Sequence, residues 1–380
     1  MSATTTMTAK GRLLNTMSRS GAVNVIAQLW PWFFLIVLVV YFSATGTGFL
    51  TIRNFGNILV TSTLVLLMAT GQTFVIITGG IDLSIGYTVG LASVISATVM
   101  RNLANGGSDP TLAIGIGVMA GLGAAIIPGL LNGVLIARLK IPPFIATLGM
   151  WGVVRGAAFL LTTGKNIVGD LPADVRSELR QIGNGSLLYR IPEEGIVWFK
   201  QPADLTNVQL RGLDRLLPYP VLIVAVIVIV FAFILARTKF GRHTYAIGGS
   251  KEAALRSGIN VERHLIIIYM ISGLTAGMAG VLHVFRFTAG SPLVGDPVLL
   301  DSVAAVVIGG TSLLGGEGRI SGTVVGALII AVLQTGLVIL NVDALWQFIV
   351  VGCIIILAVL VNQLQSYFES QKQEHQEEYA

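Results

Sequence analysis

Three ionisable residues stand in or at the mouth of long apolar runs: Asp82, Arg155 and Asp301. A charge at the centre of a membrane helix costs about 2.5–3.5 kcal/mol. Each therefore needs a partner, a helix end to cap or a wet surface to face. Asp82 follows Gly79-Gly80 and comes two residues before Ser84, where a predicted helix opens. A carboxylate there either caps free backbone N–H groups or takes part in gating. Arg155 falls inside another predicted helix, where it snorkels, pairs with a carboxylate or faces a wet cavity. Asp301 opens a further helix and reads first as a cap. Thr311 follows the Gly309-Gly310 break. Asp82, Ser84, Arg155, Asp301 and Thr311 are the candidates for a translocation pathway or its gate. Buried carboxylates are too few to favour coupling to protons or sodium.

Catalytic chemistry finds no purchase. No G-x-x-x-x-G-K-[ST] phosphate loop occurs, since Gly164-Lys165 is followed by Asn166 and lacks the upstream glycine. His243, His264, His283 and His375 are scattered without metal-ligand spacing. No nucleophile has its base at a recognisable spacing. The single cysteine, Cys353, cannot form an intrachain disulfide and reads as a small packed residue. We expect no catalytic residue, no metal and no cofactor in this chain.

The elements that must hold these residues are membrane helices. Of the 380 residues, 54% are hydrophobic and 11% charged, against about 25% charged in an average soluble domain. Runs of about 20 apolar residues cross a core of about 30 Å at 1.5 Å per residue. Ten spans are predicted, at 28–43, 57–78, 83–100, 111–135, 143–162, 219–236, 264–285, 301–316, 320–340 and 346–363. The expected fold is an all-α integral membrane protein. Its parts are an N-terminal segment 1–27, a transmembrane domain 28–363 and a polar tail 364–380. The eighth span is short, and Gly309, Gly310, Gly315 and Gly316 suggest a broken or re-entrant helix.

Basic residues set the orientation. With a cytoplasmic N-terminus, Lys10, Arg12, Arg19, Arg138, Lys140, Arg237, Lys239, Arg242, Lys251, Arg256, Arg263 and Arg319 all fall inside. Arg53, Arg101 and Arg286 then lie in short outer loops, and both termini are cytoplasmic. The net basic balance thus belongs to membrane orientation, not to nucleic acid. Segment 163–218 carries seven basic and seven acidic residues. With Pro172, Pro192, Pro202 and Pro218 it is expected as an outer insert of loops or a short helix.

Four spans carry a G-x-x-x-G pair: Gly86/Gly90, Gly117/Gly121, Gly273/Gly277 and Gly322/Gly326. Such pairs let helix backbones approach, either as fixed packing or as a sliding interface. The stretch Val75–Ser84 also resembles Val306–Leu314, each an apolar run broken by Gly-Gly, which suggests an internal repeat.

The loop 237–263 holds a short predicted helix. Ser250 suits the N-cap, Lys251–Ser257 are helix formers and Gly258 suits the C′ position. The helix presents Ala253, Ala254 and Leu255, bracketed by Gly248, Gly249 and Gly258 and flanked by basic residues. It reads either as an ordinary interfacial helix or as a plug for a groove on a soluble motor. Gly248, Gly249, Ser250, Glu252, Ala253, Ala254, Leu255, Ser257 and Gly258 are its candidate contact residues.

Six motifs in order then resemble one family. They are Ile77-Thr78-Gly79-Gly80-Ile81-Asp82-Leu83-Ser84, Ile141-Pro142-Pro143-Phe144-Ile145-Ala146-Thr147-Leu148-Gly149, Phe240-Gly241-Arg242, Tyr245-Ala246-Ile247-Gly248-Gly249, Ser257-Gly258-Ile259 and Ala304-Ala305-Val306-Val307-Ile308-Gly309-Gly310-Thr311-Ser312-Leu313. Together they resemble the permease subunits of bacterial ABC importers for ribose, arabinose, xylose, galactose and related polyols. The resemblance runs from about Phe49 to Val361. It implies a multi-pass protein of the bacterial inner membrane that pairs with a second permease copy. It also implies a separate cytoplasmic ATPase subunit that binds ATP and Mg, and a periplasmic sugar-binding protein. The region 248–259 would then be the element contacting the ATPase. Two departures stand out. Val298-Leu299-Leu300-Asp301 replaces an aromatic–Glu–Leu–Asp run, putting Leu299 where the acidic residue is usual, and the insert 163–218 is long. The alternative reading is an ion-coupled secondary carrier; a non-transport scaffold or a membrane enzyme is a third.

Overall fold

The computed structural model describes residues 30–343 except 166–168, 192–194 and 200–212, together with 345–354, 356, 357 and 360. The N-terminal segment 1–27 and the tail 364–380 lie outside the described residues. The first half contains α1 (Trp30–Thr45), α2 (Ile52–Ile77), α3 (Ile85–Asn105), α4 (Pro110–Ala137) and α5 (Pro143–Leu161). An insert follows with α6 (Ala173–Gly183), β1 (Leu188–Ile191), β2 (Gly195–Trp198) and β3 (Asp214–Arg215). The second half contains α7 (Tyr219–Arg237), α8 (Lys239–Gly249), α9 (Lys251–Arg256), α10 (Val261–Phe287), α11 (Asp296–Ile308), α12 (Ile320–Ile339) and α13 (Leu345–Ile354).

Each predicted span overlaps one of these helices. By length and composition α2, α4, α5, α7, α10 and α12 suffice to cross a membrane. Helix α2 runs through the middle, with 83% of its most apolar window buried; the same figure is 28% for α5 and α7. Apart from Arg155 on α5, the outer faces of those two helices are largely apolar, as lipid or another membrane subunit requires. The basic residues segregate as expected. Arg138, Lys140, Arg237, Lys239, Arg242, Lys251, Arg256, Arg263 and Arg319 sit at one set of helix ends, and Arg53, Arg101 and Arg286 at the other. Cys353, expected to be packed, is exposed on α13.

All-α is not the whole architecture. The insert carries a three-stranded antiparallel sheet in the order β2-β1-β3, with Tyr189 opposite Val197 and Arg215. Leu-Tyr-Arg-Ile alternates half-buried, buried, exposed and buried, the period of a half-buried strand. Helix α6 packs Val175 and Leu179 against Val94, Ala97, Met100 and Val284, and Asn184 Nδ2 donates to the Arg286 carbonyl at 2.8 Å. The insert is therefore seated on α3, α4 and α10 at the helix ends that carry Arg101 and Arg286.

The eighth span also departs from the expected 301–316. Helix α11 starts at Asp296, with Pro297 in its first turn, where a missing N–H costs nothing. It ends at Ile308, so Gly309, Gly310, Gly315 and Gly316 lie beyond it. Thirteen residues rise only about 20 Å, short of the core. Residues 288–295 supply the rest, running without helix along α3. Ser291 N donates to Ser93 Oγ at 3.0 Å. A Cβ on Gly86 would meet the Gly295 carbonyl at 3.0 Å, and one on Gly90 would strike the Pro292 backbone. Irregular backbone at membrane depth is tolerated where protein buries it. On the far side of α11, Gly322 and Gly326 of α12 lie against Gly309 and Ala305. Gly117/Gly121 and Gly273/Gly277 are close-packing sites too, against α3 and α4.

Candidate coupling and translocation site

The loop between α7 and α10 folds as two helices rather than one. Thr238 Oγ1 accepts from Gly241 N at 3.3 Å and caps α8, whose Gly241, Thr244 and Ile247 face inward. This amphipathic helix was missed because Gly248 and Gly249 read as breakers; Phe240, Thr244 and Ile247 at helical spacing were the available signal. Helix α9 forms as the sequence predicts. Ser250 Oγ accepts from Ala253 N at 3.2 Å, and Gly258 takes φ +81°. Its faces need one correction. Ala254 is buried with Ala137, Ile247, Val261 and Leu265, since so short a helix must spend one face holding on. Glu252, Ala253 and Leu255 are exposed, Leu255 to 57%.

The end of α8 is fixed to two helix breaks. Gly316 N donates to the Ile77 carbonyl at 2.8 Å, joining the end of α2 to the loop after α11. Gly248 lies directly on this bond: a Cβ there would strike Ile77 O and Gly316 N. Gly315, at φ +91°, takes a conformation that glycine adopts freely, and a Cβ on it would meet Ile77 O at 3.0 Å and Gly248 O at 3.1 Å. Gly249 beside it meets nothing within 4 Å. Tyr245 OH donates to the Gly318 carbonyl at 2.7 Å. Burial pushes the Tyr245 phenol above its ordinary pKa, against the opposing pull of Arg319, which keeps it a donor. Thr311 is fully buried beside Gly318. It belongs to this junction.

The two helix ends that meet there share one local form. Gly79 N and Gly310 N donate to Ile76 O and Val307 O at 2.8 and 2.9 Å. Gly80 N and Thr311 N donate to Val75 O and Val306 O. Gly79 and Gly310 take φ +73° and +85°. Both are helix C-caps closed by a left-handed glycine.

Asp82 lies beyond the first of these caps, 1% exposed. Its Oδ1 accepts from Ser84 N at 3.0 Å and Ser84 Oγ at 2.6 Å, and its Oδ2 from Ser272 Oγ at 2.7 Å. Asn132 Nδ2 donates to Ser84 Oγ at 2.9 Å, and Gln72 Nε2 to the Asp82 carbonyl at 2.6 Å. Ser84, not Asp82, occupies the N-cap position of α3. The carboxylate therefore ties the 78–84 turn to α4 and α10 as well as to the start of α3, a polar knot with most of its bonds made.

Arg155 is exposed on α5 and half surrounded by aromatic rings. Its guanidinium carbon lies 5.3 Å from the Trp151 ring centroid and 5.5 Å from that of Tyr87. The two rings pack edge to face at 5.2 Å. Asp296, at the start of α11, stands near the Tyr87 hydroxyl. Asp301 is not at a helix start; it is 8% exposed in α11 and accepts from Gln334 Nε2 of α12 at 2.8 Å. Leu299 is buried against Gly86, so the carboxylate one turn before it on α11 is Asp296. The sequence reading passed over Tyr87, Trp151 and Asp296, whose grouping joins three separate helices.

Comparison with known proteins gives the rest. The family described as "Branched-chain amino acid transport system / permease component" matches residues 54–359. The ribose import permease of Escherichia coli K12 is 36% identical over 328 residues, 86% of this chain and 91% of that one. The ribose import permease of Bacillus subtilis 168 is 37% identical over 343 residues, 90% of this chain and 95% of that one. The xylose transport system permease of Haemophilus influenzae is 35% identical over 363 residues, 86% of this chain and 94% of that one. No solved structure matches.

Proposed function

Since this chain belongs to the branched-chain amino acid transport system / permease component family, we propose that it is the membrane subunit of an ATP-driven importer for a small sugar. It is a transporter subunit, and ATP hydrolysis resides on another polypeptide. The sugar reading rests on the ribose, xylose and galactose permeases among its relatives. The family match displaces the ion-coupled carrier as the working alternative.

The finer reading is ours. The chain sits in the bacterial inner membrane with ten crossings and both termini cytoplasmic. It pairs with a second copy, binds a cytoplasmic ATPase that carries ATP and Mg, and receives sugar from a periplasmic binding protein. The insert 163–218 offers that binding protein a seated surface bearing exposed Ile196, Trp198 and Phe199. The two glycine-capped helix ends are the matching points of an internal repeat.

One observation carries the coupling assignment: Gly248 seated on the Ile77–Gly316 hydrogen bond. Exposed Leu255 on α9 meets the ATPase, and α8 behind it touches the end of α2 and the loop after α11 at once. Motor closure then displaces both helix breaks together. The two packings differ in affinity for the loaded binding protein, and that difference moves the equilibrium. The test is reconstitution of the chain with its cognate ATPase and binding protein in proteoliposomes. Leu255→Asp is expected to abolish ATPase capture or to separate hydrolysis from uptake of labelled pentoses and hexoses. Wild-type coupling in that variant defeats the assignment.

A further inference from the structure

Arg155 is an exposed cation at depth, and its surroundings have the chemistry of a sugar site. It stands twelve residues beyond Pro143 in α5, about 18 Å along the axis. Asp296 stands twelve residues before Ile308 in α11, the same about 18 Å from the same set of helix ends. The two charges therefore share a level near the middle of the membrane. Between them lies the Tyr87 ring, which packs edge to face on Trp151.

The Arg155 side chain does not reach toward the nearer surface. Its guanidinium sits over Trp151, one turn back toward Pro143, 5.3 Å from the ring centroid. A snorkelling arginine here would reach the other way, toward Leu161 and the nearer surface. Gly152 and Gly156 flank it, each with open space beside its Cα, and Leu148 is exposed on the same face. A charged group held at this depth requires a wet cavity or a covering subunit beside it rather than lipid.

Resting on the sugar-import reading above, we propose that Trp151, Arg155 and Asp296 form a mid-membrane sugar-contact site, with Tyr87 as the positioning residue that holds Arg155 and Asp296 in register. The classes of group fit the class of cargo. An aromatic face takes the apolar C–H side of a pyranose or furanose ring. A guanidinium donates to adjacent hydroxyl oxygens, and a carboxylate accepts from hydroxyl groups. Asp296 also sits where a broken span begins its helix, the position at which transporters with discontinuous helices hold their cargo. Tyr87 is 1% exposed, so it orients its neighbours and does not itself meet the sugar.

Two measurements test this in the full complex with ATPase and binding protein. In proteoliposomes, Arg155→Gln, Asp296→Asn and Trp151→Leu are each expected to lower sugar uptake per ATP hydrolysed at least tenfold. They should also change the preference among labelled pentoses and hexoses, with partial rescue by Arg155→Lys. If wild type takes up these sugars and the variants keep its uptake ratio and preference, the site is wrong while the importer reading stands. If wild type takes up no sugar of the panel, the reading fails and the site with it. The second measurement does not depend on transport. Gly152→Cys in a Cys353→Ser background should react with a charged, water-soluble thiol reagent, and saturating sugar with binding protein should slow the reaction at least threefold. A thiol inert to that reagent throughout the ATP cycle overturns the proposal.

Discussion

Adding one methyl group to Gly248 is the sharpest perturbation the coupling junction allows. A Cβ there runs into Ile77 O and Gly316 N, the two partners of a 2.8 Å hydrogen bond. Neither partner is a flexible side chain, so relief requires α8 to back away or the bond to open. Overpacking a fitted contact costs about 1–3 kcal/mol, and losing the bond adds about 0.5–1.5 kcal/mol. The overpacking alone is about 5- to 150-fold in any equilibrium it opposes. Gly249→Ala is the control. It adds the same methyl one residue later, into open space, and gains about 0.5–1 kcal/mol of helix stability. The assay is sugar uptake per ATP hydrolysed in proteoliposomes holding the ATPase and binding protein. Gly248→Ala is expected to lower that ratio at least fivefold while Gly249→Ala stays within twofold. Equal behaviour of the two variants refutes the junction as the transmitting contact.

Other consequences are open to measurement. Tyr245→Phe removes the bond to the Gly318 carbonyl and should weaken coupling by about 0.5–1.5 kcal/mol, read as a drop of two- to tenfold on the order of the same ratio. The Tyr245 phenol is raised above its ordinary pKa of 10.0. Its contribution is full below that value and is lost only as pH rises past the shifted one, so uptake profiles should show no Tyr245 step in the range of about pH 6–9. Ser272→Ala strips one donor from the buried Asp82 carboxylate and should destabilise the detergent-purified protein by about 1–3 kcal/mol. An unchanged thermal midpoint in that variant contradicts the polar knot.

Much of this architecture was legible because lipid enforces simple rules. Uncharged runs near 20 residues long gave helices at each of the expected places, and the basic residues marked one set of ends. Ser250 and Gly258 announced α9 because capping chemistry is local. What escaped depends on contacts between distant segments. Gly248 and Gly249 looked like the end of order, yet they close α8, since backbone contact there outweighs glycine's poor helix propensity. Ala254 looked like part of a docking face, but a six-residue helix holds on by burying something. The sheet of the insert was hidden by its prolines, although Tyr189 and Ile191 carried the alternation. Arg155 was visible as a problem; its answer lay in Tyr87 and Asp296, which no spacing rule ties to it. For Asp296 the clue was Pro297, a common first-turn residue.

The broken eighth span has a consequence for how such a protein diversifies. It is gripped on one side by Gly86 and Gly90 and on the other by Gly322 and Gly326, and at three of these four glycines the opposing atoms are backbone alone, Leu299 joining them at Gly86. A fit made largely of main-chain atoms is indifferent to most of the side chains the segment carries elsewhere. Residues 288–308 can exchange those side chains without re-cutting either groove. The packing of this span and its proposed sugar contact are thereby written in different atoms, so mutation can revise the one and leave the other intact.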